Sequence, residues 1–262
     1  MLQSIPGLVI GESVYGEGLI CLTVLTAKKG KITVFTKYSK SSKSKNLAAA
    51  QLLCYSEFVL YEKKDVYWLK EASIIEFFFN IRKDIGSNLF AYYIIDVARA
   101  VCVENSDESE MLSLTLNTLY MISKENKKKS DRLIRAAFEI RCAVICGFTP
   151  ELSGCADCGR TDFSGSRLYL DIMNGVLRCS GCLDKAQDTP EKYDTGTSTL
   201  LLAVEPEVLE ALRYVTGCDP KRIFSFSLSE KAEAELSVIA EKYLLNHLER
   251  GFESLNIYKT IG

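Results

Sequence analysis

The chain has 262 residues, ten cysteines, one histidine (His247) and one tryptophan (Trp68), with 32 Lys+Arg against 34 Asp+Glu for a net charge of -2. At 47% apolar and 25% charged it has a globular composition, neither fibrous nor disordered, long enough for one large or two to three small domains with their own cores. One histidine excludes triads and metal sites that need two or more imidazoles, and leaves a Cys-His nucleophile short of a base.

The first 75 residues read as short strands. Gly7–Ile10, Leu19–Thr26, Ile32–Phe35, Leu52–Tyr61 and Val66–Leu69 are separated by turns at Lys29-Gly30 and Glu62–Asp65. Five strands in this length fit an OB-type barrel, a fold often used for single strands. Seven lysines (Lys28, Lys29, Lys31, Lys37, Lys40, Lys43, Lys45) and no acid occupy 28–45. A +7 segment in a chain of net -2 leaves -9 elsewhere, so charge is segregated. Lysines and serines reach phosphates without reading bases, and Phe35 and Tyr38 could stack on them. The plainer alternative is a solvated lysine loop. If all seven lysines met phosphates of a single strand, log K would fall against log salt with a slope of roughly -5.

After residue 75 the period becomes helical. Phe90, Tyr93, Ile94, Val97 and Val101 share one face, as do Leu133, Ala137, Ile140 and Val144, with the more uniformly apolar Met111–Ile122 between them. Asp96 and Arg99 interrupt the longest apolar run, so no membrane helix is expected. Ser130 or Asp131 caps the third helix, and Gly147 with Pro150 stops it. A second basic group, Lys124, Lys127, Lys128, Lys129, Arg132 and Arg135, lies in this part. Residues 152–185 are expected to be non-helical. Helix resumes at Thr199–Ala203, Glu207–Val215 and Glu230–Leu248.

Within the non-helical stretch, Cys155-x2-Cys158 and Cys179-x2-Cys182 stand twenty residues apart. Two residues between cysteines let a tight turn aim both sulfurs at one point, and a four-thiolate site holds zinc tetrahedrally at about 2.3 Å. Arg167–Asp171 and Gly175–Arg178 read as a hairpin turning at Met173-Asn174-Gly175, so the module is a ribbon rather than a redox CxxC on a helix. The alternative is two unrelated pairs of core thiols. Four thiolates leave no open position for water, so one structural Zn²⁺ is expected. A nucleobase deaminase would need an H-x-E partner and a proline where Arg178 stands. Cys21, Cys54, Cys102, Cys142, Cys146 and Cys218 are expected to be small core residues.

The first residues carry no basic and apolar leader, so the thiols are expected in a reducing, cytoplasmic compartment. Gly11–Gly16 is followed by Glu17 rather than Lys-Ser/Thr, so it is no P-loop. No nuclease-type carboxylate box stands out, and Asp107-Glu108 and Glu233-x-Glu235 read as helix caps and solvated faces. A binding protein is favoured over an enzyme.

Several stretches in this order resemble the RecO family of bacterial recombination-repair proteins. They are Gly7–Ile10 with Gly16-Glu17-Gly18, Gly30–Phe35 followed by Lys37–Lys45, Arg135–Ile140 through Gly147–Pro150 into Cys155-x2-Cys158-Gly159, and Tyr243–Arg250 through Ser254-Leu255 as a last helix. The resemblance implies an α+β multidomain protein: an N-terminal OB-fold β-barrel over 1–76, then an α-helical domain over 77–262 with an inserted four-cysteine zinc ribbon at about 152–185. It further implies binding of single- and double-stranded DNA and annealing of complementary strands. RecR and the C-terminal tail of single-strand-binding protein would be partners in loading RecA onto gaps, with the protein cytoplasmic and nucleoid-associated. The family's basic loop usually opens lysine-glycine-alanine-arginine, whereas here Lys37 is followed by Tyr38-Ser39-Lys40, and Ser41 stands where a second basic residue is common. That leaves either weaker affinity or an added stacking ring. Two other classes stay open: a zinc-ribbon interaction scaffold that binds no DNA, and an enzyme with an unrecognised site.

Overall fold

The computed structural model describes residues 2–15, 18–37, 45–63, 66–125, 128–163, 165–187 and 200–261. The chain divides into two compact units, 1–127 with 252–262, and 128–251.

The first unit opens with five strands: β1 (Leu2–Tyr15), β2 (Leu19–Thr26), β3 (Gly30–Lys37), β4 (Tyr55–Lys63) and β5 (Val66–Glu76), with the short helix α1 (Lys45–Ala49) between β3 and β4. They close into a barrel in the order β1-β2-β3-β5-β4, the OB-like architecture expected. Closure depends on the length of β1. Its first half pairs with β4 (Leu2↔Tyr61 to Leu8↔Tyr55) and its second half with β2 (Gly7↔Thr26 to Tyr15↔Leu19). β3 and β5 then meet in parallel through Val34↔Tyr67 and Phe35↔Trp68. Alternation sends Ile20, Leu22, Val24, Ile32, Val34, Phe58 and Leu60 inward, where they pack with Val9.

At the irregularity between Val9 and Gly11 the strand turns over. Leu8 and Ile10 are buried as fully as Val9 although they lie outside the barrel's core cluster. Gly30 ends the β2–β3 turn at φ 61, and a Cβ there would stand 2.0 Å from the Val103 carbonyl oxygen, so only glycine fits.

The reading of a strand from Leu52 is corrected. Leu53 is left-handed at φ 64 and donates its N–H to the Val9 carbonyl, so pairing starts at Tyr55. Helices α2 (Ile85–Val101) and α3 (Ser109–Ser123) follow, and the last helix, α8 (Glu253–Ile261), packs on α2. Asp84 caps α2 through the Ser87 N–H. Tyr243–Leu255 is not one helix: Glu249 is left-handed at φ 49 and ends it, so α8 is separate.

The second unit holds α4 (Asp131–Ile145), β6 (Glu151–Cys155), β7 (Leu168–Asp171), β8 (Val176–Cys179), α5 (Ser180–Gln187), β9 (Leu201–Ala203), α6 (Pro206–Gly217) and α7 (Glu230–His247). Ser130 is the α4 cap, accepting from the Leu133 N–H. Two expectations fail here. Residues 152–185 are not all non-helical, because α5 begins directly after β8. Leu201–Ala203 is strand rather than helix: three residues cannot propagate a helix, and β7 supplies partners at Leu202↔Leu170 and Ala203↔Tyr169. The sheet order is β6-β8-β7-β9. α4 and α7 pack together, each against α6. Among the described residues no helix is long and apolar enough to cross a membrane.

Candidate metal centre and nucleic-acid interface

The four cysteines come from two strand ends. Cys155 closes β6, and Cys158 lies in the turn after it, where the Gly159 N–H donates to the Cys155 carbonyl. Cys179 closes β8, and Cys182 is in the first turn of α5. The second knuckle therefore runs from strand into helix, a correction to a purely ribbon-borne set. All four sulfurs lie within 4.8 Å of one another. Cys158 Sγ and Cys179 Sγ are 3.9 Å apart, close to the roughly 3.8 Å edge of a tetrahedron with 2.3 Å metal–sulfur bonds. The cluster could hold a metal ion.

Its electrostatics fit a cation. Burial opposes the Cys155 thiolate, but N–H groups of Cys158, Cys179 and Asp157 aimed at it outweigh that and bring its pKa down to about 6. Cys182 is pushed up to about 12, by burial first and then by its neighbours' thiols and the Cys155 charge. The Cys155 thiolate forms readily, whereas Cys182 beside it needs a positive charge to follow.

Arg178 braces the module. It grips both oxygens of Asp157, between the first pair of cysteines, at 2.7 and 2.8 Å. Its Nε reaches buried Asp171 at 3.2 Å. Asp171 also accepts from the N–H and side-chain amide of Asn174, holding the β7–β8 turn. Gly175 completes that turn at φ 66. Local pattern gives no signal for this role of Arg178, whose partners Asp157 and Asp171 come from the first knuckle and from β7.

The lysines divide. Lys28 pairs with Asp107 at 2.6 Å, and the bond it makes, with the Ser109 hydroxyl and N–H behind it, lowers the Asp107 pKa to about 2. Lys29 donates to Gln3 Oε1 at 2.7 Å and to the Tyr67 hydroxyl at 2.9 Å. Lys31 donates to the Arg99 carbonyl at 2.7 Å. Lys37 ends β3 and Lys45 opens α1. Tyr38, Lys40 and Lys43 lie outside the described residues, as do the side chains of Lys37 and Lys45.

The second basic group is not one patch. Lys124 stands 4.6 Å over the Tyr120 ring. Lys129 donates to the Phe226 carbonyl and the Ser227 hydroxyl. Arg135 is buried, bonded to Glu139, Glu241 and Ser237. Lys128 and Arg132 are exposed, and Lys127 lies outside the described residues.

Aromatic rings line the outside of the barrel. Phe35 and Trp68 are register partners with centroids 5.6 Å apart, and Trp68 and Tyr61 are partners stacked at 6.4 Å. Tyr15 meets Phe35 edge-on at 6.3 Å. Of these, sequence reading singled out only Phe35 for stacking. Strand alternation beside inward Leu60 and Tyr67 was the available signal for Tyr61 and Trp68.

Cys54, Cys102 and Cys142 are buried as expected, whereas Cys21, Cys146 and Cys218 are only half-buried.

Comparison with known proteins covers both parts of the chain. The family described as "Recombination protein O N terminal" matches residues 1–78, and "Recombination protein O C terminal" matches 82–256. A "DNA repair protein RecO" of Acetivibrio thermocellus is 34% identical over 255 residues, 97% of this chain and 95% of that protein. Proteins of the same name from Caldicellulosiruptor bescii and Alkaliphilus metalliredigens are each 27% identical, over 97% and 100% of both chains respectively.

Proposed function

The chain belongs to the RecO family, and on that premise we propose that it acts in DNA repair and recombination as a mediator that anneals complementary strands. In this reading it works with RecR and the tail of single-strand-binding protein to load RecA onto gapped DNA, in the cytoplasm at the nucleoid. The observation that carries the reading is the full-length family match laid over a closed OB-like barrel whose β3 runs into a lysine loop. Residues 1–76 serve as the nucleic-acid-binding domain and 77–262 as the helical domain.

Annealing requires no bond chemistry, and no reaction is assigned. Lysines neutralise the phosphate repulsion between two strands, so a held strand can meet its complement. Lys28, Lys29 and Lys31 already have partners within the chain. The phosphate contacts therefore fall mainly to Lys37, Lys40, Lys43 and Lys45, with Tyr38 among them. Four contacts in place of seven bring the expected salt slope on a single strand from roughly -5 to roughly -3. Replacing these four lysines with glutamate is expected to reduce affinity at low salt at least tenfold and abolish annealing while the fold persists. Gel shifts and annealing rates across a salt series test this. Unchanged affinity would place DNA elsewhere on the chain.

The ion of the cysteine cluster is Zn²⁺, one per chain, held by Cys155, Cys158, Cys179 and Cys182. Four thiolates and no open position make its contribution structural. A second reading, an interaction scaffold without DNA binding, draws on a cavity of about 780 Å³ lined by Arg167, Tyr169, Val204, Leu209 and Arg213 beside the ribbon. Salt-independent absence of any gel shift would favour it.

A further inference from the structure

We propose that Phe35, Trp68 and Tyr61, extended by Tyr15, form a platform on which unstacked bases of single-stranded DNA lie, and that this platform sets a preference for single strands over duplex. The inference rests on the DNA-binding reading above and adds to it the groups that meet the bases.

The argument starts from register. Phe35, Trp68 and Tyr61 are cross-strand partners on three adjacent strands, β3, β5 and β4. Their chain neighbours Val34 and Leu60 fill the barrel, so alternation turns these three rings outward. The ring spacings of 5.6 and 6.4 Å make one continuous aromatic row. Tyr61 is 39% exposed and Tyr15 68%. Cross-strand aromatic pairs do stabilise sheets, but that role does not require rings to face water at the row's two ends.

The row's position favours a nucleic-acid strand. Tyr15 is the last residue of β1, Phe35 is two residues from the end of β3, Tyr61 two from the end of β4, and Trp68 two from the start of β5. Four rings thus gather where four strands begin or end, and β3 leads there into the lysine segment. Exposed Lys63 and Lys70 each follow a ring of the row by two residues, Tyr61 and Trp68, and supply positive charge beside it. Flat rings with flanking cations match the two faces of a single strand, bases and phosphates. A duplex keeps its bases stacked on each other and offers the rings nothing to cover. Lysines alone would not distinguish the two forms in this way.

Trp68 is the only tryptophan, so tryptophan emission, excited selectively over that of the tyrosines, reports this row. The full-length protein is titrated with a short oligodeoxythymidylate, with an abasic strand of equal length and charge, and with a duplex of the same length. Tyr15→Ala and Tyr61→Ala, both at exposed rings, accompany the wild type, with circular dichroism confirming their fold. The expected result is quenching of Trp68 by oligodeoxythymidylate, little by the abasic strand or duplex, and about tenfold weaker binding of oligodeoxythymidylate by each variant with an unchanged salt slope. Gel-shift binding of oligodeoxythymidylate without quenching, with equal affinity for the abasic strand, overturns the platform and leaves the DNA-binding reading standing. Failure to bind any of the three DNAs at low salt overturns both. Trp68→Phe, which keeps a ring but loses the signal, is expected to retain most of the affinity in gel shifts.

Discussion

The barrel and the ribbon are both small β structures, yet different side chains gather at their centres. The barrel closes on itself and leaves no sheet edge, and its interior is filled by Val9, Ile20, Leu22, Val24, Ile32, Val34, Phe58 and Leu60. Burial of apolar surface stabilises it by about 25 cal/mol per Å². The ribbon's strands are three to five residues long, and beside the few fully buried aliphatics Leu170, Ile172 and Leu177 it gathers four thiols within 4.8 Å. Sulfurs packed that closely repel once more than one is ionised, which a bound cation would offset. The same residue type marks the contrast: Cys54, beside the barrel, is a buried thiol whose pKa is raised, chiefly by burial, whereas Cys155 is lowered to about 6.

The largest expected effect would break this contrast if it failed. Chelating the metal, or replacing Cys155 with serine, is expected to remove on the order of 10 kcal/mol from the folding of the ribbon. The barrel should be untouched. Amide exchange read residue by residue would show β6–β8 losing protection while β1–β5 keep theirs. Metal-free protein with a fully protected ribbon would mean its apolar residues are sufficient.

The converse experiment is Phe58→Ala. Phe58 is fully buried in the barrel, and truncation is expected to cost about 3–5 kcal/mol through lost burial and the cavity left behind. Metal content per chain should stay at one, and the denaturation midpoint should fall. A variant that lost both barrel stability and metal would show that the two regions fold as one cooperative body.

The contrast also explains what could be read in advance. Leu19–Thr26, the three long helices and both cysteine knuckles follow from local pattern, because alternation, a 3.6-residue period and C-x2-C turns are short-range signals. The full length of β1 does not, since its polar flanks serve two partners far apart in sequence, β2 and β4. β9 is not legible locally, because Leu201–Ala203 takes its structure from β7. Likewise Arg135 reads as part of a basic cluster until its carboxylate partners, Glu139 and Glu241, arrive from one turn on and from α7. At the candidate site the thiol ligands were legible, whereas the bracing Arg178 and the row Phe35–Trp68–Tyr61 depend on pairings across strands.

The smallest effect concerns acid, and it again separates the two regions. His247 is the only histidine, and it lies on the ribbon's side of the division. Its ring stacks on Phe148 at 4.9 Å and leans on Tyr243 at 4.3 Å. Burial lowers its pKa below the ordinary 6.5, outweighing a hydrogen bond to the Ile172 backbone that favours the cation. Because the folded state holds this imidazole neutral, the unfolded chain takes up the proton first as pH falls. The stability contributed by its burial is complete above about pH 6.5 and is lost as pH drops through that value toward the folded pKa. Protonation of the thiolates also loosens a metal site in acid, so wild type alone cannot divide the two causes. His247→Gln can, since it keeps a polar side chain and removes the titration. Urea unfolding of the second unit at pH 7.5 and 5.5 should show a smaller loss for this variant than for wild type, and no difference between them in the barrel's amide protection. Equal losses would assign the acid sensitivity to the thiolates alone.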